Sequence, residues 1–264
     1  MGTIAVGAVR LAVADRGSGP PLLCITGVGY GAWYWERLAA DLGDRVRVIA
    51  YDARGVGAST PAGPGLDTAT LAGDAAGLLH ALGIRRAAVL GHSLGGMVAQ
   101  ELALARPDLV DRLILASTTH GGPDAVPVTP EALEVLTRRD GDPMERFRRG
   151  MEVATAPGFP ARRPDVIARF LAYRASGPVP PDQWALQVAA GAGHDATERL
   201  GAIRCPVLVL TGDQDRVVPP ANAELLARRI PGARVRVLEG LGHHFPFEDP
   251  EATAAAVGAF VLAR

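Results

Sequence analysis

Ala87-Ala88-Val89-Leu90-Gly91-His92-Ser93-Leu94-Gly95-Gly96 is the stretch on which the reading of this chain turns. An apolar, strand-like run leads straight into Gly-x-Ser-x-Gly. A helix-forming run, Met97 to Ala105, follows at once. A strand-to-helix turn this tight holds its serine in a strained conformation, and a Cβ at Gly91 or Gly95 would collide with neighbouring backbone. Such a turn lifts the Ser93 hydroxyl clear of the sheet and aims a helix N-terminus at whatever the serine attacks. The plainer alternative is a glycine-rich turn whose serine only caps the helix. The strand before and the helix after favour a nucleophile.

Outward from this turn the chain alternates strand and helix. Residues 3–16 read as an antiparallel pair turned near Gly7, and Gly17 to Pro21 breaks the chain. Leu22 to Thr26 is an apolar run, as expected of a strand covered on both faces. A helix over Trp33 to Leu42, a strand over Val46 to Tyr51, a polar loop from Asp52 to Ser59 and a helix over Leu66 to Leu82 follow. Val110 to Ser117 is a further strand.

From Thr118 to about Leu200 the rhythm stops. Short helical pieces are expected at Glu131 to Arg139, Pro143 to Ala154, Asp165 to Ala175 and Asp182 to Ala190, with no strand. The rhythm resumes with a strand over Cys205 to Thr211, a helix over Pro220 to Ile230, a strand over Val235 to Leu238 and a helix over Pro250 to Leu262. Asp249-Pro250 supplies the N-cap and first position of that last helix. The expectation is an α/β chain with a mostly parallel sheet flanked by helices. Residues 1–118 and 201–264 form its core, and 119–200 are a helical insertion.

Composition narrows the function classes. The 264 residues are 48% hydrophobic and 21% charged, as in globular proteins, with a net charge of −1. No basic field exists to attract nucleic acid or an acidic membrane, and the basic residues are all arginine. Met1 to Arg16 lacks the apolar core of a signal peptide, and no apolar run is long enough to span a bilayer. Cys24 and Cys205 are expected in buried strands as free thiols, which suits a cytoplasmic location. No Cys/His cluster has metal-ligand spacing, so neither metal nor cofactor is expected. A monomer and a homodimer are both compatible with the sequence.

A serine hydroxyl needs a base, and the base needs an orienting carboxylate. Two loops after later strands offer them in the order Ser…Asp…His: Gly212-Asp213-Gln214-Asp215-Arg216 and Glu239-Gly240-Leu241-Gly242-His243-His244. His243 is the candidate base, with His244 its competitor. Asp215 is the candidate carboxylate, with Asp213 as the alternative. Of the other histidines, His80 falls within a helix, His92 points off the turn, and His120 and His194 sit near the insertion boundaries. Two backbone N–H groups are needed to hold an oxyanion. Leu94 opens the helix after the serine, and Val28 lies in the glycine-rich loop Thr26 to Gly31.

Taken together, Gly91 to Gly96, Tyr51-Asp52-Ala53-Arg54-Gly55-Val56-Gly57-Ala58-Ser59, Gly212 to Pro219 and Gly242-His243 resemble the α/β-hydrolase superfamily. The likeness is greatest to its 3-oxoadipate enol-lactonase-like and small carboxylesterase members. It implies an eight-stranded sheet, a helical cap between strands six and seven, and a triad of Ser93, Asp215 and His243. It also implies oxyanion donors at Val28 and Leu94, and a structural role for the Asp52 loop. Two departures stand out: Thr26-Gly27 replaces a common His-Gly, and His244 stands where C–C hydrolases of the family carry tryptophan. A serine nucleophile also separates the chain from the aspartate-dependent dehalogenases and epoxide hydrolases.

The implied activity is hydrolysis of a small or mid-sized carboxylic ester or lactone through an acyl-enzyme on Ser93. C–C bond hydrolysis or acyl transfer on the same triad, and a biosynthetic or ligand-sensing role with little turnover, are the alternatives. Phe159, Phe170, Tyr173, Trp184 and His244 are candidates to touch substrate, although aromatic residues at helical spacing equally build a core. Arg162 and Arg163 could meet an acidic group or simply face solvent.

Overall fold

Leu22, Leu23, Cys24 and Ile25 are all buried, yet they serve two different cores. Side chains alternate across a strand, so Leu23 and Ile25 enter one hydrophobic cluster and Leu22 and Cys24 the other. An unbroken apolar run is what a strand covered on both faces requires. The computed structural model describes residues 1–138, 140–177 and 179–263. Arg139 and Arg264, the expected ends of a helix and of the core, lie outside the described residues, as does Pro178.

The strands are β1 (Gly2–Val6), β2 (Val9–Arg16), β3 (Pro21–Ile25), β4 (Arg47–Tyr51), β5 (Ala87–His92), β6 (Val110–Ala116), β7 (Val207–Gly212) and β8 (Arg234–Leu238). They form an eight-stranded sheet in the order β1-β2-β4-β3-β5-β6-β7-β8. β2 runs antiparallel to both β1 and β4, and the remaining pairs are parallel. Leu23, Val89, Leu113 and Val207 lie in register across the centre. Helices α2 (Thr68–Ala81) and α3 (Leu94–Ala105) cover one face, while α1 (Glu36–Leu42) and α11 (Pro250–Val261) cover the other.

Between β6 and β7 the chain runs through α4 (Pro130–Thr137), α5 (Pro143–Ala154), α6 (Phe159–Arg162), α7 (Pro164–Ser176) and α8 (Pro181–Ala192). The two ends of this insertion meet at an isolated antiparallel bridge between Gly121 and Asp195. Gly122 N–H donates to the His194 carbonyl and Ala196 N–H to that of His120, which sets both histidines at this neck. The Arg199 guanidinium grips both oxygens of Glu101 at 2.7 and 2.6 Å, tying the neck to α3. α9 (Ala221–Arg229) and the one-turn α10 (Phe245–Glu248) complete the helices among the described residues.

Three expectations need correction. Cys24 is buried in β3, but Cys205 is only half-buried and precedes β7. Pro206 has no N–H for the ladder, so the strand starts at Val207. The helix expected at Trp33 begins as a 3-10 turn over Ala32–Trp35 and becomes α-helical at Glu36. The one-turn helices α6 and α10 went unread because each carries proline in its first turn, which reads as a break but is tolerated there.

Gly95 is where the two layers touch. A Cβ there would stand 2.3 Å from the Ile25 carbonyl oxygen and 2.7 Å from that of Thr26. Gly95→Ala should therefore cost at least about 2 kcal/mol, read as a lowered urea midpoint. Gly73, inside α2, faces open space. Gly73→Ala should raise stability by about 0.5–1 kcal/mol in the same measurement. Equal effects at the two positions would contradict the packing described.

Candidate active site

Ser93 adopts φ 56°, ψ −121°, a left-handed setting that costs a non-glycine residue about 1–3 kcal/mol. The surroundings hold it there. Its N–H donates to the Ala116 carbonyl at 2.9 Å, and its own carbonyl accepts from Gly96 N–H at 2.9 Å and Thr118 Oγ1 at 2.7 Å. A Cβ at Gly91 would lie 2.2 Å from the Gly95 carbonyl oxygen, and one at Gly96 would lie 2.5 Å from Thr118. The glycines are thus required by close approach. Leu94 is the first residue of α3, where backbone N–H groups lack helical partners.

The loop after β3 passes directly over the serine. A Cβ on Gly27 would stand 3.1 Å from Ser93 Cβ and 3.5 Å from its Oγ. The loop is folded on itself by Tyr30 N–H to the Gly27 carbonyl at 3.3 Å and by Thr26 Oγ1 to the Tyr30 carbonyl at 2.7 Å. Val28 lies half-buried at the apex, one residue beyond the contact with Ser93.

Asp215 and His243 meet in the loops after β7 and β8. His243 Nδ1 lies 2.9 Å from Asp215 Oδ2. A carboxylate oxygen only accepts, so Nδ1 carries the proton and Nε2 is left with its lone pair. The other Asp215 oxygen accepts from Val217 and Val218 N–H at 2.9 and 2.8 Å. Both side chains are buried. Asp213 is turned away, its carboxylate accepting from Gly240 N–H at 2.7 Å. Glu248 braces the histidine loop, accepting from Gly242 N–H at 3.0 Å and from Ala156 N–H of the insertion at 2.8 Å. Burial raises its carboxyl to about 7, against the pull of those two N–H groups and with a push from Asp215.

His92 is not a bystander. It is fully buried, and its Nε2 donates to the His243 carbonyl at 2.8 Å, joining the serine turn to the histidine loop. His244 has both ring nitrogens engaged, with the Tyr30 hydroxyl on Nε2 at 3.1 Å and the Tyr34 hydroxyl on Nδ1 at 3.0 Å. Burial, reinforced by the neighbouring histidines, drives the His244 imidazole well below its ordinary value. Burial and His243 take His92 down to about 3.

The aromatic candidates separate. Trp184 lies over the serine-side loop, its Cδ1 3.1 Å from where a Gly29 Cβ would be. Tyr173 instead stacks on Trp33 with centroids 5.1 Å apart and donates its hydroxyl to Glu36 at 2.8 Å. Phe159 and Phe170 are buried in the α1/α11-side core, and His244 is buried with its ring 5.1 Å from that of Phe170. Arg163 pairs with Asp165 in solvent, and Arg162 donates to the Pro157 carbonyl.

Sequence reading missed the polar residues of the insertion that reach the site. Gln187 Oε1 accepts from Gly29 N–H at 2.7 Å, and Gln183 Oε1 from Ala62 N–H at 2.7 Å. Their signal was available: two glutamines four apart share a helix face, and both are buried. The Asp52 side chain is engaged by backbone. Its carboxylate accepts from Ala32 N–H at 2.8 Å. A cavity of about 10 Å³, between Gly27, Leu94 and Gln187, has room for about one water molecule. The open depression around Pro21, Arg85 and Asp108 is at the far end of the strands and has no part in this site.

Residues 20–250 match the family model for the alpha/beta hydrolase fold. The chain belongs to that family. This hydrolase is 32% identical over 266 residues to part of polyketide synthase ThaQ of Burkholderia thailandensis, spanning 97% of itself and 12% of that protein. It is 28% identical to the solved structure titled Est816 as an N-acyl homoserine lactone degrading enzyme, with a TM-score of 0.84 and coverage of 98% and 100%. Against the enol-lactonase of Burkholderia xenovorans LB400 it is 27% identical, with a TM-score of 0.81 and coverage of 98% and 99%. No helix among the described residues is long and apolar enough to cross a membrane, and no group there could hold a metal ion.

The buried histidines of this hydrolase set its acid sensitivity. An unfolded His92 takes up a proton near pH 6.5, whereas the folded one does so only near 3. The unfolded state therefore binds more protons in that window, and stability is lost as pH falls through it. Glu248, with its raised value, acts in the opposite sense between about 4.5 and 7. Urea titrations at pH 7 and pH 5 should show the native protein losing about 2 kcal/mol more than His92→Gln. Parallel losses would contradict the assignment.

Proposed function

We propose that this hydrolase cleaves a small or mid-sized carboxylic ester or lactone through an acyl-enzyme on Ser93. Ser93 Oγ attacks the carbonyl carbon, and His243 Nε2 takes its proton. Asp215 fixes the His243 tautomer and stabilises the imidazolium. The N–H groups of Val28 and Leu94 receive the oxyanion. His243 then protonates the departing alkoxide, which in a lactone stays tethered to the acyl group. A water molecule deprotonated by His243 releases the acid and restores the serine.

One observation carries this reading: His243 Nδ1 is held at 2.9 Å by a carboxylate whose second oxygen is capped by two N–H groups. That arrangement leaves one free imidazole nitrogen as base, in a loop that His92 ties to the strained serine. The placement of Gly27 against Ser93 supports Val28 and Leu94 as the paired donors. Likeness to a lactone-degrading enzyme and an enol-lactonase supports the substrate class. Residues 119–200 act as a cap over the site, with residues 1–118 and 201–264 as the catalytic core. The substrate is a small molecule. Free thiols at Cys24 and Cys205 suit work in the cytoplasm.

Steady-state hydrolysis of p-nitrophenyl butyrate tests the roles. Ser93→Ala should lower kcat by at least about 10³-fold, and Asp215→Asn by about 10⁴-fold through the wrong tautomer. Asp213→Asn should stay within about threefold, because Asp213 only caps Gly240. Ordinary turnover by Ser93→Ala would overturn the mechanism.

A further inference from the structure

Among the described residues, Arg174 is a cation with no carboxylate partner at the edge of the candidate site. Several arginines of the insertion face acids, Arg148 pairing with Glu145, Arg163 with Asp165 and Arg149 with Asp140, while the exposed Arg162 donates to the Pro157 carbonyl. Arg174 is different. Its Nη1 donates to the Gly29 carbonyl at 2.5 Å, and its guanidinium lies 5.4 Å from the centroid of the Phe147 ring. Among the described residues, the titratable group that acts on it is the Tyr30 phenol, which burial keeps protonated, and not a carboxylate. The side chain is half-buried, and that burial opposes its charge.

The position is specific. Gly29 has φ 73°, and a Cβ there would stand 3.1 Å from Trp184 Cδ1 and at ordinary contact distance, 3.5 Å, from both Nη1 and Nη2, so the guanidinium and the indole pack together on this loop residue. Gly29 is two residues from Gly27, the residue against Ser93, which is no more than about 7 Å of chain. One donated hydrogen bond leaves most of the five guanidinium N–H groups available, in a fork that matches a carboxylate.

We propose that Arg174, walled by Trp184 and Phe147, is an anion subsite, and that the esters or lactones cleaved at Ser93 carry a second, free carboxylate. The subsite anchors that carboxylate several bonds from the scissile carbonyl, which orients the carbonyl toward Ser93. The substrate claim rests on the hydrolytic reading above; the anion subsite itself does not.

Calorimetric titration with glutarate, and with neutral glutaramide as control, reads the subsite without turnover. Glutarate should bind at least about tenfold more tightly than glutaramide, and Arg174→Gln should erase the difference. Kinetics on monoethyl adipate and ethyl hexanoate, esters with matched acyl chains, read its use. The ratio of their kcat/KM values should favour the carboxylated ester and fall at least about tenfold in Arg174→Gln. A guanidinium that only pins the Gly29 loop would slow both esters together and leave the ratio unchanged, which would overturn the proposal. Equal binding of glutarate and glutaramide by the native protein would overturn it without recourse to a variant, should Arg174→Gln not fold. Glutarate binding in a protein that cleaves neither ester would refute the esterase reading while leaving the anion subsite standing.

Discussion

The start of α3 crosses the end of β3 with no space for a side chain between them, and the site depends on that contact. Gly95 lies against the Ile25 and Thr26 carbonyls, and Gly91 lies against Gly95. The crossing forces Ser93 into its left-handed conformation and brings the Gly27 loop over its hydroxyl. The same geometry places the helix N-terminus at the serine, where its unpaired N–H groups favour negative charge. The strain at Ser93 is borne by ordinary backbone hydrogen bonds from β6 and by the Thr118 hydroxyl.

The insertion is tied by polar contacts to both loops that flank the serine. Gln187 and Arg174 hold the N–H and carbonyl of Gly29, while Glu248 joins Ala156 of the insertion to Gly242 beside His243. These contacts join the insertion to both the loop above Ser93 and the loop carrying His243. Beneath them, Tyr30, His244, Tyr34 and His92 form a buried chain of rings ending on the His243 backbone. Burial keeps both of its histidines neutral, so the chain sets position and supplies no charge.

Local chemistry made the core legible in sequence. Apolar runs such as Leu22 to Ile25 mark strands buried on both faces, and Gly91, Ser93 and Gly95 mark a turn that few sequences tolerate. Strand order brought Asp215 and His243 to the same edge, and their residue types then assigned them. The insertion resisted because its contacts are set by tertiary packing. The four-residue spacing of Gln183 and Gln187 sets them on one helix face but does not say that Gln187 will meet Gly29, and nothing in the sequence separates Arg174 from the other arginines around it. The partner of His92 is illegible for a related reason: the residue before Ser93 finds its acceptor only once the His243 carbonyl is folded against it.

Whether Ser93 is a nucleophile activated by His243 is tested most directly by covalent labelling with a fluorophosphonate, followed by peptide mass mapping. The expected result is a single adduct on the peptide bearing Ser93, formed at least about 10²-fold more slowly in His243→Gln. An adduct on another residue, or labelling of Ser93 at an undiminished rate without the histidine, would contradict the assignment.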